Sequence, residues 1–150
     1  DERLEKDMIA IPLSGPQRFV VVASPAYFAA HGRPVHPRDV LDHACIRHRF
    51  ASGSSYAWEF EKDGQTLRVR VDGQVTFNNS YAMIDAALSG FGIAYVPEDI
   101  VASRVASGEL ELILNEWSPM FDGYFLYYPS RRQNLAAFQI IVDALRYREV

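Results

Sequence analysis

Cysteine is nearly absent from this 150-residue chain: Cys45 stands alone, so there is no intrachain disulfide framework and no thiolate set for a zinc or iron–sulfur centre. A reducing compartment, the cytoplasm, is the simplest setting. Long apolar runs are missing too. No stretch of 18 apolar residues occurs, and no apolar signal core with a small-residue cleavage site follows Asp1, so no membrane partner is expected. Positive charge is not in surplus, because 15 Lys and Arg against 19 Asp and Glu leave a net charge of −4. Counterion release, which drives nucleic-acid binding, has no general cationic surface to act on. The basic residues, mostly Arg, are scattered rather than clustered on one element. There is no initiator Met, and the chain reads as starting inside a longer one.

What is present has globular composition, with 49% hydrophobic and 23% charged residues. Strands and helices alternate. Phe19-Val20-Val21-Val22-Ala23 is a continuous apolar run, as in a strand covered on both faces within a parallel sheet. Ser24-Pro25 then supplies an N-cap and a first-turn proline for a helix over 25–31 that stops at Gly32. The same order recurs downstream. A strand over 74–77 leads through Asn78-Asn79-Ser80 into a helix over 81–89, with Met83, Ile84, Ala87, Leu88 and Phe91 on one stripe. Ile93 to Val96 is another buried strand, and Pro97-Glu98-Asp99 opens a helix running to Gly108.

One hairpin has a derivable register. With Asp63-Gly64 at the centre of a type I′ turn, Lys62 faces Gln65, Phe60 faces Leu67, Glu59 faces Arg68 and Trp58 faces Val69. Trp58, Phe60, Leu67 and Val69 then share an apolar face, while Glu59 and Glu61 meet Arg68 and Arg70 on the other. Leu110, Leu112 and Leu114 alternate in a later strand, Phe125 to Tyr128 form one more, and Leu135, Phe138, Val142 and Leu145 give the last helix its apolar stripe. The fold class is α/β, with a mainly parallel sheet and an inserted hairpin.

Two strand-to-helix junctions, at Ser24 and at Asn78-Asn79-Ser80, offer unpaired N–H groups and a positive dipole end suited to a carboxylate; the alternative is that both are caps serving only their own helices. Arg49 with Phe50 could give an amphiphilic acid a charge and an apolar wall, or simply belong to a solvated loop. His43, Cys45 and His48 raise a metal or nucleophile reading. Alternation in an extended segment puts His48 on the other face, however, and no further ligand completes a site. Cys45 is better read as buried and structural. Gly90-Phe91-Gly92 precedes a strand, the reverse of a dinucleotide fingerprint, and reads as a helix stop. No catalytic residue, metal site or cofactor is assigned.

The order of these features resembles the effector-binding (substrate-binding) domain of LysR-type bacterial transcriptional regulators. The resemblance rests on FVVVASPAY (Phe19 to Tyr27) with His31-Gly32 and Pro34, on Pro37 to Leu41 with His43 to Ile46, on Trp58-Glu59-Phe60 with Gly64, on Asn78-Asn79, on ALSGFGIAYVP (Ala87 to Pro97) preceded by Ala86, and on Ser107 to Leu110 with Leu114 and Trp117. It implies a type II periplasmic-binding-protein-like α/β fold with one complete lobe and part of a second. Residues 1–13 would be the first crossing segment, 14–114 lobe two, and 115–150 the return to lobe one. The family's winged helix-turn-helix, linker helix and the first part of lobe one have no counterpart here.

The implied function is sensing of a small-molecule effector, an organic acid, in the interlobe cleft and relay of that binding to the DNA-binding domains. The implied partners are other copies of the chain, as homodimer or homotetramer, and DNA only through the absent helix-turn-helix. The family's lobe-two contacts map onto Asn78, Asn79 and Ser80. Arg49, Phe50, Tyr127 and Pro129 match by location, and Ser24 stays a candidate as the other helix start. Incomplete lobe one should expose apolar surface and favour self-association. A periplasmic solute-binding protein shares this architecture and is the alternative; an enzyme on the same scaffold lacks a nucleophile, base and orienting group.

Overall fold

A computed structural model describes residues 7–130 and 135–148. The first six residues of the expected 1–13 segment lie outside the described residues. Two compact units are found, Arg18–Met120 and a second built from Asp1–Gln17 with Phe121–Val150. The larger unit's bounds differ by a few residues from the 14–114 drawn from sequence.

In the larger unit, β2 (Gln17–Ala23), β3 (Cys45–His48), β6 (Val75–Phe77), β7 (Ile93–Pro97) and β8 (Glu111–Ile113) form a sheet in the order β6-β3-β7-β2-β8. The preceding strand, β1 (Met8–Pro12), belongs to the smaller unit. The sheet is mixed rather than mainly parallel. β3 runs parallel to β6 and β7, whereas β2 is antiparallel to both β7 and β8. The apolar run in β2 could not reveal this, because it reports burial on two faces and says nothing of direction. Val20 and Val22 enter one cluster with Met83, Ala87 and Val101, while Val21 and Ala23 enter another with Trp58, Phe60 and Tyr95. Burying every residue from Val20 to Ala23 removes the polar alternation a one-sided strand would show.

The helices α1 (Pro25–His31), α2 (Ser80–Leu88) and α3 (Glu98–Ala106) begin and end within a residue or two of the sequence expectation. Gly90 adopts φ 79° just past α2, where its N–H bonds to Ala87 O at 3.0 Å, so the helix stop is confirmed. Phe91 does not follow the α2 stripe: the chain has already turned, and its ring is 61% exposed. The hairpin β4 (Trp58–Lys62) and β5 (Gln65–Val69) has the derived register pair for pair, with Asp63 and Gly64 both at positive φ. Trp58, Phe60 and Val69 are buried, and Arg68 bonds Glu59 at 2.7 Å. Glu61 instead faces Thr66, and Arg70 lies beyond the end of β5, so that second charge pair is not made.

Two glycines meet the start of β3. A Cβ on Gly73 would fall 1.7 Å from Cys45 O, and one on Gly92 would fall 2.1 Å from Ala44 O. Only a residue without a side chain lets the backbone pass there. β9 (Met120–Phe121) lies where the chain leaves this unit.

The smaller unit pairs β1 antiparallel with β10 (Phe125–Pro129) and packs α4 (Ala136–Leu145) against them. Ile11, Tyr128 and Val142 form its core, with Phe138 partly buried. Leu135 and Leu145, expected on the buried stripe, are exposed, as are Ile140 and Ile141. Two strands bury only a narrow band of an apolar helix.

Candidate functional site

Sheet direction decides which candidates come together. β3 and β6 are adjacent and parallel, so Arg49 and Phe50, just after β3, share a sheet edge with Asn78, Asn79 and Ser80, just after β6. A hydrogen bond from Arg49 N to Phe77 O at 2.8 Å ties the two exits directly. β2 begins and β8 ends at this edge as well, because Phe19 pairs with Pro97 and Val21 with Ile113. The start of β2 and the end of β8 therefore lie on the side where these residues cluster.

Asn79 is the N-cap of α2. Its backbone is extended, its Oδ1 accepts from Tyr81 N at 2.8 Å, and its carbonyl accepts from Met83 N at 3.2 Å. Asn78 and Asn79 are exposed and Ser80 is half-buried. The cap bond comes from Asn79 and not from the Asn78 side chain, which has no hydrogen bond among the described residues. Phe50, 43% exposed, packs edge-on against His48 and Tyr56 at 5.2 and 5.5 Å between ring centres. Bonds from Phe50 N to Ser54 O and from Gly53 N to Phe50 O fold the following loop back on itself. Arg49 is exposed and has no carboxylate partner among the described residues.

Ser24 does not join them. Because β2 is antiparallel to β7, the exit of β2 lies at the opposite edge of the sheet, near the far end of α2, where a Cβ on Gly90 would stand 3.8 Å from Ser24 Oγ. Ser24 is buried, and its Oγ accepts from Tyr27 N at 3.2 Å, the cap of a seven-residue helix. Its role is to satisfy α1. Tyr127 and Pro129 belong to β10 of the smaller unit; Tyr127 is exposed, opposite Ala10, and Pro129 is half-buried, opposite Met8.

Sequence reading missed an ion pair at the shared edge. Arg18, the first residue of the larger unit, grips Glu98 with two hydrogen bonds, the Nε contact being 2.6 Å. The guanidinium holds the Glu98 carboxyl below its usual range, while the carboxylate raises Arg18. The first-turn glutamate of α3 was legible, but its partner lies 80 residues away and carries no local signal.

The His and Cys residues are engaged elsewhere. His43 Nδ1 lies 3.1 Å from Tyr27 Oη, and burial lowers His43 below the usual imidazole range. Cys45 donates its thiol to Val40 O at 3.2 Å, and burial pushes the thiol up to about 12. Such a thiol is a packed core group rather than a nucleophile. Among the described residues no group of three or more His, Cys, Asp or Glu is placed to hold a metal ion.

With this geometry in place, the chain matches the LysR substrate binding domain over residues 1–149. The chain belongs to that family. It is 52% identical over 147 residues to a putative transcriptional regulator of Pseudomonas aeruginosa, covering 97% of this chain and 48% of that protein. It is 36% identical to the HTH-type transcriptional regulator PgrR of Escherichia coli, covering 97% of this chain and 49% of that protein. The structure resembles that of CrgA, a LysR-type transcriptional regulator from Neisseria meningitidis, with a TM-score of 0.77, 26% identity, and coverage of 97% and 49%. The LysR domain thus spans about half the length of the curated relatives it matches. The LysR match favours the regulator reading over that of a transporter's solute-binding protein. Among the described residues no helix is long and apolar enough to cross a membrane.

Proposed function

We propose that this LysR domain is the effector-sensing part of a cytoplasmic bacterial transcriptional regulator and that it binds a small carboxylate at the edge formed by Asn78, Asn79, Ser80, Arg49 and Phe50. The observation that carries the reading is the coincidence of four features on one sheet edge. They are the N-terminus of the nine-residue α2, the amide of Asn78 beside its cap, the guanidinium of Arg49 with no carboxylate partner among the described residues, and the start of β2 with the end of β8. Helix N–H groups and Arg49 favour an anion, and Phe50 offers an apolar wall. Tyr127 and Pro129 enter this reading from the family resemblance alone, and Ser24 is left out of it.

Binding would act by shifting the balance between arrangements of the regulator, by no more than the effector's difference in affinity for them. In the whole regulator that shift would reach DNA through a helix-turn-helix and through assembly as a homodimer or homotetramer. Relatives described as transcriptional regulators support this role and give no support to catalysis. Calorimetric titration with a panel of small organic acids tests it. A hit should lose at least about tenfold in affinity in Asn78→Leu, with an unchanged unfolding midpoint, and keep its affinity in Ser24→Ala. Unchanged affinity in Asn78→Leu refutes the assignment.

A further inference from the structure

A second cluster of cationic and hydroxyl groups lies beside that edge, its Ser54 and Tyr56 in contact with Phe50. A cleft of about 490 Å³ is lined by Arg47, Ser54, Ser55, Tyr56, Arg70 and Asp72, and none of the residues assigned to the effector edge lines it. Its size is in the range that admits a small molecule.

Three segments converge to make it. Arg47 comes from β3, in register with Thr76 of β6. Ser54 to Tyr56 are laid along the end of that strand by a bond from Tyr56 N to His48 O at 3.0 Å and by the bridge between Arg49 and Ser55. Arg70 comes one residue after β5. The hairpin register explains why no carboxylate stands opposite Arg70. Arg68 has Glu59 opposite, but extending the pairing past Trp58 and Val69 brings Arg70 opposite Ala57, which has no charge to offer.

The charge balance is uneven. Arg70 has no ion-pair partner among the described residues. Arg47 reaches Asp72 only at 3.5 Å, and that carboxylate is fully exposed, so the contact is weak. The Nε of Arg47 is buried with no hydrogen-bond partner among the described residues, and an unsatisfied charged donor of this kind asks for an acceptor. The Tyr56 hydroxyl is kept protonated by burial first and by Glu59 second, and so stays a donor.

The geometry points to a second ligand site in this domain, a receptor for a small oxyanion held by Arg47 and Arg70 with the Ser54, Ser55 and Tyr56 hydroxyls. Paired guanidinium forks suit carboxylate and phosphoryl oxygens alike. The site would give the domain a second input, lined by residues other than those of the effector edge.

Isothermal titration of the full chain with inorganic phosphate and with succinate, against chloride at matched ionic strength, tests this. Saturable one-to-one binding of at least one probe is expected, weakened about tenfold in both Arg70→Gln and Arg47→Gln and unchanged in Asn78→Leu. Succinate alone binding assigns a carboxylate; phosphate alone assigns a phosphoryl group; both assign a general oxyanion site. Arg70 is exposed, so Arg70→Gln should fold normally even where Arg47→Gln does not, and urea midpoints check each. Absence of saturable binding, undiminished binding in Arg70→Gln, or equal loss in Asn78→Leu overturns the inference.

Discussion

Replacing the half-buried Gly73 with alanine should unfold the larger unit far more readily than a methyl addition at an exposed glycine. The added Cβ would lie 1.7 Å from Cys45 O and 2.8 Å from Cys45 C, against ordinary contacts of 3.4–4 Å. Relief requires a displacement of about 1.7 Å, and both groups are backbone, so no side chain can swing aside. The obstructing carbonyl belongs to a central strand whose Cys45 pairs with Ile93 and is buried. Overpacking of this severity costs about 3 kcal/mol or more. Gly108→Ala is the matched control: its φ of 79° strains an alanine, but nothing lies within 4 Å. That left-handed strain costs about 1–2 kcal/mol. Urea unfolding followed by the fluorescence of the buried Trp58 and Trp117 separates the two. With a slope of about 2 kcal/mol/M, Gly73→Ala should lower the midpoint by roughly 1.5 M, and Gly108→Ala by under about 1 M. Failure to recover folded Gly73→Ala is the same outcome in stronger form. Equal midpoints in the two variants would refute the close approach of Gly73 to β3.

Other outcomes follow from single contacts. Asn79→Ala removes the acceptor for Tyr81 N and should cost about 1 kcal/mol of stability, readable as a lower urea midpoint. The Glu98 carboxyl is held low by Arg18, so its contribution is present above the unfolded carboxyl value of about 4.3 and fades as pH falls through the folded one; the melting temperatures of wild type and Glu98→Gln should therefore converge as the pH falls below about 4.3. A persistent gap at low pH would contradict the pair. Cys45 should resist a disulfide-exchange thiol reagent in the native protein and react on denaturation, given a thiol pushed up to about 12 by burial. Exposed Ile140, Ile141 and Leu145 on α4 should drive self-association, and a purely monomeric species by light scattering at high concentration would count against it.

Legibility from sequence tracked the range of the interactions involved. The hairpin register was readable because Asp63-Gly64 fixes it locally, between Trp58 and Val69, and helix limits were readable because Ser24, Asn79, Gly32 and Gly90 act on adjacent N–H and C=O groups. Sheet direction was not. A doubly buried strand has the same composition whether its neighbours run with it or against it, and on that one unreadable fact Ser24 was grouped with Asn78 when the sheet separates them. The Arg18–Glu98 and Arg47–Asp72 contacts were invisible for the same reason: each joins residues distant in sequence. The α4 stripe failed differently, because periodicity marks an apolar face without saying whether enough sheet exists to cover it.

The antiparallel setting of β2 also bears on when the chain can fold. β2 is made before both its flanking partners, which are not complete until Pro97 and then Leu112 and Ile113 have been synthesised. Until then Val20 to Ala23 form an apolar segment with no strand on either side, and loop closure over so long a span is slow. A run that is fully buried in the finished domain is thus uncovered during translation, and the stretch from Val20 to Ala23 is where a stalled or truncated chain would aggregate.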